Sequence, residues 1–254
     1  MKVLGIETSG EIGSVAVCDG STVIAERSFK RGMRHGKELI PAIKDILDGA
    51  GIKLNGIDLL AVDVGPGSYT GLRVGITCAK TVAYALNKPV IDVVSLDVIA
   101  QNMPDDYDHI CPVIDARREM VYACIYGRVL SESSFLFENN ISTPDENALN
   151  GSSRFVVNFR ERESELLLVT PDTLLERIPQ GTLLFGDGTA RYENVFQGKS
   201  VFCGDDIMWI PRAFAVAVLG RLRYENGKRC RMEKLAPVYM RRPEPVENAE
   251  SGNR

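Results

Sequence analysis

Histidine is scarce in this sequence, which contains only His35 and His109. They lie far apart, and neither belongs to an H-x-x-x-H or H-E-x-x-H pattern of metal ligands. The six cysteines are scattered and form no C-x-x-C pair. The sequence therefore predicts no metal site. It predicts buried, reduced thiols and two histidines at the surface or facing a partner.

Long apolar runs are also missing. No stretch approaches the ~20 apolar residues of a membrane span, and Met1-Lys2-Val3 leads straight into a predicted strand without a signal-peptide pattern. The formal net charge is −4, which disfavours non-specific binding of nucleic acid by the isolated chain. We therefore expect a cytoplasmic protein with no membrane contact.

The clearest motif is the glycine-rich string at 63–75, Asp-Val-Gly-Pro-Gly-Ser-Tyr-Thr-Gly-Leu-Arg-Val-Gly. It lies between a predicted buried strand, 59–62, and a predicted helix, 71–86. Strand, glycine-rich turn and helix can aim backbone N–H groups at an anion, but no Gly-Lys-Ser/Thr ending makes it a P-loop. The alternative is a tight structural turn, with unusual backbone angles at Gly65 and Gly67 and a helix cap at Ser68 or Thr70.

The whole string resembles the TsaB family, and further segments resemble that family in the same order. They are the opening strand at 4–9, the first helix at 35–43, the segment Val-Ile-Asp-Ala-Arg-Arg-Glu-Met-Val-Tyr at 113–122, the Gly-Asp-Gly end of 183–188, and 236–241. The resemblance covers most of the chain up to Arg242.

This resemblance implies a non-catalytic scaffold that activates a TsaD-like catalytic subunit. That subunit transfers a threonylcarbamoyl group from threonylcarbamoyl-AMP to the tRNA adenosine beside the anticodon. It also implies a TsaE-like ATPase as third member, self-association through the same helices, and tRNA contact only within the complex. No cofactor is expected in the isolated chain, and ATP use is expected in the partner subunits.

The pattern of elements predicts a two-lobed α/β protein with the ribonuclease-H-like fold shared by actin, Hsp70 and the sugar kinases. Three meandering strands and two βα units make up a first lobe, 1–104. A second, degenerate lobe with a C-terminal helix spans 105–242, and 243–254 is predicted to be disordered. Within the second lobe, 120–126 is predicted as one strand and part of the polar segment 138–165 as an insertion. In the first lobe, Ser95 is predicted to cap a short helix, 96–102.

A nucleotide site would need two phosphate-binding hairpins. In the first, Glu7 and Glu11 would repel phosphate. The second, 115–119, has no glycine to let its backbone approach a phosphate. A turn at 186–188 is compatible with an adenosine contact or with a plain βα turn. A small ATP-dependent kinase or ATPase of this fold remains the alternative function, and a peptidase is disfavoured because no nucleophile arrangement stands out.

The two helices at 36–50 and 71–86 are more apolar than one buried face requires, which favours a surface completed by another subunit. The alternative is that the second lobe covers them. By resemblance, TsaB pairs with TsaD through these helices. The predicted partner-interface residues are His35, Leu39, Ile43, Leu47, Arg73, Thr77, Ala79, Lys80 and Ala83. Basic residues are concentrated late in the chain, between 221 and 242. They are explained either by a solvated helix end or by a minor contact with tRNA in the full complex.

Overall fold

A computed structural model describes residues 1–20, 22–32, 35–103, 106–128, 135–138, 154–157, 160–199, 201 and 206–240. Two sheets organise the chain, and seven α-helices are present in the described part. The α/β class with two lobes is confirmed. The predicted tail at 243–254 lies outside the described residues.

The first sheet has the order β3-β2-β1-β4-β5. Its strands are β1 (Lys2–Glu7), β2 (Ser14–Asp19), β3 (Thr22–Ser28), β4 (Leu59–Asp63) and β5 (Val90–Val93). β1, β2 and β3 pair antiparallel, whereas β4 and β5 join β1 in parallel. This is the ribonuclease-H-like order predicted from the meander and the two βα units.

Both faces of this sheet are covered, which explains why the strands inside it, β1, β2 and β4, are largely apolar, whereas the edge strand β3 is mixed. On one face, Leu4 and Ile6 belong to the cluster that includes α1 (His35–Gly49) and α2 (Tyr69–Leu86). On the other face, Val3 and Ala61 pack with α7 (Ala213–Glu225). The period of two along a strand assigns alternate residues to the two cores.

The place of α7 corrects the predicted lobe assignment, because this helix packs on the first sheet and not on the second. Small residues allow the approach: a Cβ on Gly5 would lie 2.2 Å from the Ala213 carbonyl oxygen, and one on Gly220 would lie 2.4 Å from the Ala61 Cβ. The start of α7 is fixed by side chains of β2 and β3. Ser14 accepts from the Ala213 N–H at 2.9 Å, and Glu26 pairs with Arg212.

The second sheet has β6 (His109–Asp115) at its centre, with β13 (Leu183–Phe185) parallel along one edge. Two short strands share the other edge, β7 (Val121–Ala123) and β8 (Tyr126–Arg128), and these pair in turn with β12 (Leu167–Val169) and β11 (Arg160–Arg162). The predicted single strand at 120–126 is therefore broken. The break occurs at Ile125, whose N–H donates to the Ser164 hydroxyl at 2.9 Å and not to a strand.

The remaining elements are short. They are α3 (Ser95–Ala100), α4 (Pro171–Arg177), α5 (Asp187–Arg191), α6 (Glu193–Phe196), and a separate hairpin of β9 (Phe135–Glu138) with β10 (Arg154–Val157). Hydrogen bonds from the second sheet to α3 join the lobes. The Asp97 carboxylate accepts from Nε and Nη2 of Arg162, both at 2.5 Å, and from the Tyr126 hydroxyl at 2.7 Å. No helix of the described residues is long and apolar enough to cross a membrane.

Candidate functional site

The glycine-rich turn is a structural turn in which the N–H groups of Gly65, Ser68 and Gly71 bind atoms of the chain itself. Gly65 has φ +101°, as predicted, and its N–H donates to the Asp63 carboxylate at 2.7 Å. Ser68 is the N-cap of α2, as predicted, and accepts from the Gly71 N–H at 3.2 Å. The Ser68 N–H itself donates to the Ser9 carbonyl at 2.7 Å. These N–H groups therefore hold the first hairpin and the turn together.

The other glycines of the motif allow α2 to lie against the loop after β1. A Cβ on Gly67 would lie 2.5 Å from the Ser9 carbonyl oxygen, and one on Gly71 would lie 2.0 Å from that of Thr8. Gly75 would place its Cβ 2.2 Å from the Thr8 hydroxyl. Gly67 is thus required for a close approach and not for the positive φ that we predicted, and the small side of α2 is used within the chain.

Beneath this turn lies a pair of buried carboxyl groups, Glu7 at the end of β1 and Asp63 at the end of β4, both fully buried. Ser9 links them: its hydroxyl lies 2.5 Å from Glu7 Oε1 and 3.2 Å from Asp63 Oδ2. Asp63 Oδ1 also accepts from the Ser95 hydroxyl at 2.7 Å. Ser95 is therefore a residue of α3 that binds Asp63, and the predicted role as helix cap is wrong because Val94 occupies the cap position.

Burial raises the pKa values of both carboxyl groups. Loss of hydration raises the pKa of Asp63 to about 7 against the hydrogen bonds from Ser95, Gly65 and Ser9. Burial, and then the charge of Asp63, raise the pKa of Glu7 well above its usual range. A single serine proton cannot satisfy both carboxylates, so protonation of one of them completes the hydrogen bonding. The first hairpin is thus closed by its own side chains.

The corresponding turn of the second sheet, 115–120, is open to solvent and has an unusual backbone. Arg117, Arg118 and Glu119 are all exposed and all left-handed, with φ values of 61°, 51° and 59°. Non-glycine residues seldom adopt this region. Asp115 stabilises the turn by accepting from the Arg117 N–H at 2.8 Å, and Asp187 accepts from the Asp115 N–H at 3.0 Å.

Most of the predicted partner-interface residues lie inside the chain. Those buried are His35, Leu39, Ile43, Leu47, Ala79 and Ala83, and those at the surface are Arg73, Thr77 and, half-buried, Lys80. The six buried residues cannot form an outer face, because α1 and α2 pack them against the sheet and each other. The interface itself stays a prediction, with its contact residues moved to the exposed sides of α1 and α2.

Those exposed sides carry large apolar groups that the sequence analysis did not single out. Ile40 on α1 is 60% exposed and Tyr84 on α2 is 80% exposed. Thr81 and Thr77 lie one and two turns before Tyr84 on the same exposed side. The excess of apolar residues in both helices was the sequence signal for an exposed apolar surface. Only the packing shows which apolar row of each helix faces outward. We call Ile40, Thr77, Thr81 and Tyr84 the helix-pair face.

The two histidines have different environments. His35, predicted at a surface, is buried at the start of α1, where Nε2 bonds the Gly10 carbonyl at 3.0 Å and the ring packs near Phe29. His109 is partly exposed, with Nδ1 2.8 Å from Glu163 Oε2. Within the described part of the chain, neither bonds a serine, threonine or cysteine, and no three potential metal ligands are grouped.

Taken together, the two sheets, the strand order and the two carboxyl-bearing turns define a two-lobed protein of ribonuclease-H-like architecture. The family model described as "TsaD: tRNA N6-adenosine threonylcarbamoyltransferase" matches residues 29–222. The chain belongs to this family.

Its full-length likeness is to proteins named TsaB. The tRNA threonylcarbamoyladenosine biosynthesis protein TsaB of Bacillus subtilis is 29% identical over 241 residues, which are 95% of this chain and 94% of that protein. TsaB of Escherichia coli is 28% identical over 95% of both chains. A tRNA N6-adenosine threonylcarbamoyltransferase of Symbiobacterium thermophilum matches only 50% of this chain and 44% of its own length, at 30% identity.

A solved structure agrees on the fold. YeaZ from Pseudomonas aeruginosa superimposes with a TM-score of 0.72 at 24% identity, over 94% of this chain and 99% of that one. The predicted resemblance to TsaB is confirmed.

Proposed function

We propose that this chain is a non-catalytic accessory subunit that binds and activates a TsaD-like transferase during threonylcarbamoyl transfer to tRNA. The observation that carries the proposal is the match to TsaB along almost the whole chain, combined with a first hairpin closed by the buried pair Glu7 and Asp63. An enzyme using that hairpin would need open donors for phosphate, whereas the Ser9 N–H already donates to the Glu7 carboxylate at 2.5 Å.

The helix-pair face is the proposed contact for the transferase subunit. It combines an isoleucine and a tyrosine, both largely exposed, with two threonines, and charged residues border it: Lys44 and Asp48 follow Ile40 at four-residue intervals, and Lys80 precedes Tyr84 by four. Exposed aromatic residues with a polar rim are typical of protein interfaces. We further propose that self-association uses the same face, that a TsaE-like ATPase joins the complex, and that the complex works in the cytoplasm.

The alternative function, an ATP-dependent kinase or ATPase, keeps one supporting observation, the solvent-open turn with Asp115 and Asp187 on the second sheet. We expect negligible ATP turnover by the free chain. Turnover near the enzyme median of ~10 per second, lost in Asp115→Asn, would establish the alternative.

A double variant tests the accessory function. Thr77→Arg with Tyr84→Arg places two positive charges on the helix-pair face, where a partner would bury them without compensation. The free variant should fold as the wild type does, because both positions are exposed. We expect binding of the TsaD-like subunit to fall by at least a hundredfold in sedimentation or calorimetry, and reconstituted tRNA modification to fall with it.

Lys199→Glu, an exposed residue outside both helices and away from segment 228–240, is the matched control and should bind the partner normally. Undiminished partner binding by the folded double variant would show that the partner docks elsewhere. Ala79→Arg and Ala83→Arg do not serve as surface variants, because both positions are fully buried and arginine there should unfold the free chain.

A further inference from the structure

The segment 228–240, which follows α7, lies alongside α2 in the opposite direction. At one end Cys230 is within electrostatic reach of Lys80. At the other, Tyr239 reaches the first turn of α2, where its hydroxyl accepts from Arg73 Nε at 3.1 Å and its ring lies 5.3 Å from that of Tyr69. Two stretches distant in sequence therefore form one continuous strip of surface.

The segment is fixed to the core rather than loosely attached. Leu235 is buried, and the Val238 N–H donates to the Val64 carbonyl at 2.7 Å, next to the glycine-rich turn. Arg229 stacks on the Tyr224 ring at 3.9 Å and donates to the Tyr224 carbonyl at 2.7 Å. The backbone of this segment and the Arg229 side chain are therefore held in place, which lowers the entropy lost on binding.

The strip is strongly basic although the chain is acidic overall. Residues 228–234 carry four basic residues and one acidic residue, a local charge of +3, against −4 for the whole chain. Residues 64–91 of the neighbouring helix and its turns contain no acidic residue. We call this strip the basic seam; its cations are Arg73, Lys80, Lys228, Arg229, Arg231 and Lys234.

Aromatic rings lie at one end of the seam. Tyr69 and Tyr239 are 42% and 43% exposed, and the Arg73 guanidinium lies 3.9 Å from the centroid of the Tyr69 ring. A row of cations that can follow a phosphate backbone, ending at exposed rings on which bases can stack, is the combination by which proteins bind single-stranded nucleic acid. A protein partner with acidic side chains would contact the same cations and rings, so binding of an acidic peptide is measured beside binding of RNA.

We propose that the basic seam binds an unpaired stretch of RNA, with phosphates along 228–234 and one base on the Tyr69–Tyr239 rings. This inference rests on the proposed function, because the RNA would be the tRNA on which the partner subunit acts. On α2 the seam shares the exposed side with the helix-pair face, since Lys80 lies one turn before Tyr84, whereas the phosphate path at 228–234 lies outside both α1 and α2.

The test uses the triple variant Lys228→Glu, Arg231→Glu, Lys234→Glu. Its matched control is Lys53→Glu, Arg177→Glu, Lys199→Glu, three exposed cations away from the seam. Binding is measured by fluorescence anisotropy with two probes: a labelled single-stranded uridine oligomer for the free chain at low salt, and an unmodified tRNA transcript for the reconstituted complex. Partner binding is measured separately.

We expect the triple variant to lose at least tenfold in RNA affinity at 0.1 M salt. The slope of log affinity against log salt should become shallower by about two, since each lost phosphate contact removes ~0.7–0.9. Tyr239→Ala should weaken binding by about tenfold and leave the slope unchanged. The control triple variant should behave as the wild type.

Several results would overturn the inference. One is equal RNA binding by the wild type and the seam variant with both probes, including no binding by either. A preference of the seam for an acidic peptide over the oligomer would assign it to a protein instead. If the wild type fails to bind the transferase, the proposed function fails, and the uridine oligomer with the free chain still decides the role of the seam.

Discussion

The carboxyl-bearing turns of the two sheets have the same place in their lobes and opposite character. In the first lobe, Glu7 and Asp63 are buried under glycines that leave no room for a Cβ. In the second, the loop at 116–120 is largely exposed and contains three consecutive left-handed residues without a glycine. Strained backbone clusters at functional sites. Of these two turns, the exposed turn of the second lobe has the strained backbone.

Glycine has two separate physical uses in such turns: it lets two backbones come close together, and it adopts a positive φ without strain. In the first lobe, glycine allows backbone to touch backbone, and the result is a closed joint between a hairpin and a helix. In the second lobe, the equivalent turn uses side chains where glycine would relieve strain, and it projects Arg117, Arg118 and Glu119 into solvent. Three predictions test this contrast, from the largest expected effect to the smallest.

Gly71→Ala should have the largest effect. The new methyl group would lie 2.0 Å from the Thr8 carbonyl oxygen, so backbone must move, and we expect a loss of about 3 kcal/mol in the free energy of unfolding. Gly49→Ala, at the end of α1 with nothing within 4 Å, is the control and should be neutral or slightly stabilising. Similar stability of both variants, measured by urea denaturation, would show that the joint is not tightly packed.

Asp63→Asn should change how stability depends on pH. The folded-state pKa is raised to about 7, from ~3.9 in the unfolded chain, so the folded state holds an extra proton between these values. Stability from this group is therefore fully present below about pH 4 and is lost as pH rises through 7, by about 1.4 kcal/mol per pH unit at the steepest.

Urea denaturation of the wild type and Asp63→Asn at pH 5, 6, 7 and 8 measures the slope of the unfolding free energy against pH. In the variant this slope should be smaller by the contribution of one bound proton. Asp172→Asn, exposed on α4, should retain the wild-type slope. Parallel curves for wild type and Asp63→Asn would mean that Asp63 is ionised in the folded protein. Asp187 gives the comparison with the second lobe: burial raises its pKa in the same direction, so Asp187→Asn should also flatten the curve.

Glu119→Gly should have the smallest effect and the opposite sign. Glycine adopts a φ of 59° without the Cβ clash that other residues have, so we expect a gain of about 1 kcal/mol in the free energy of unfolding. Glu176→Gly, an exposed helical position on α4, is the matched control and should lose about 1 kcal/mol. A loss at both positions would argue that the left-handed turn is not strained.

Local pattern was enough for much of the fold. The apolar strands of the first sheet, the Ser68 cap and the positive φ of Gly65 follow from residue types and their spacing. The position of α7 does not follow from local pattern, because a helix of small apolar residues is compatible with packing on either sheet. Gly5 on the sheet and Gly220 on the helix allow the close packing of α7 on the first sheet.

The site was harder to predict for a related reason. An over-apolar helix has the same pattern whether its second face meets its own chain or a partner. The sequence therefore could not show that Ala79 and Ala83 face inward while Tyr84 faces outward. The pairing of 228–240 with α2 is likewise a long-range contact, for which no local signal exists.

The position of α7 has a consequence for biosynthesis. The first sheet is encoded by the first part of the chain, but one of its two apolar faces is covered by a helix whose anchoring contacts span 188 and 199 residues of sequence. Until the ribosome has released that helix, the nascent lobe must present an uncovered hydrophobic sheet, and such surfaces attract chaperones and aggregate. The first lobe therefore reaches its final state only after residue 225 has been synthesised and has left the ribosome, and its folding should be slow and sensitive to removal of α7.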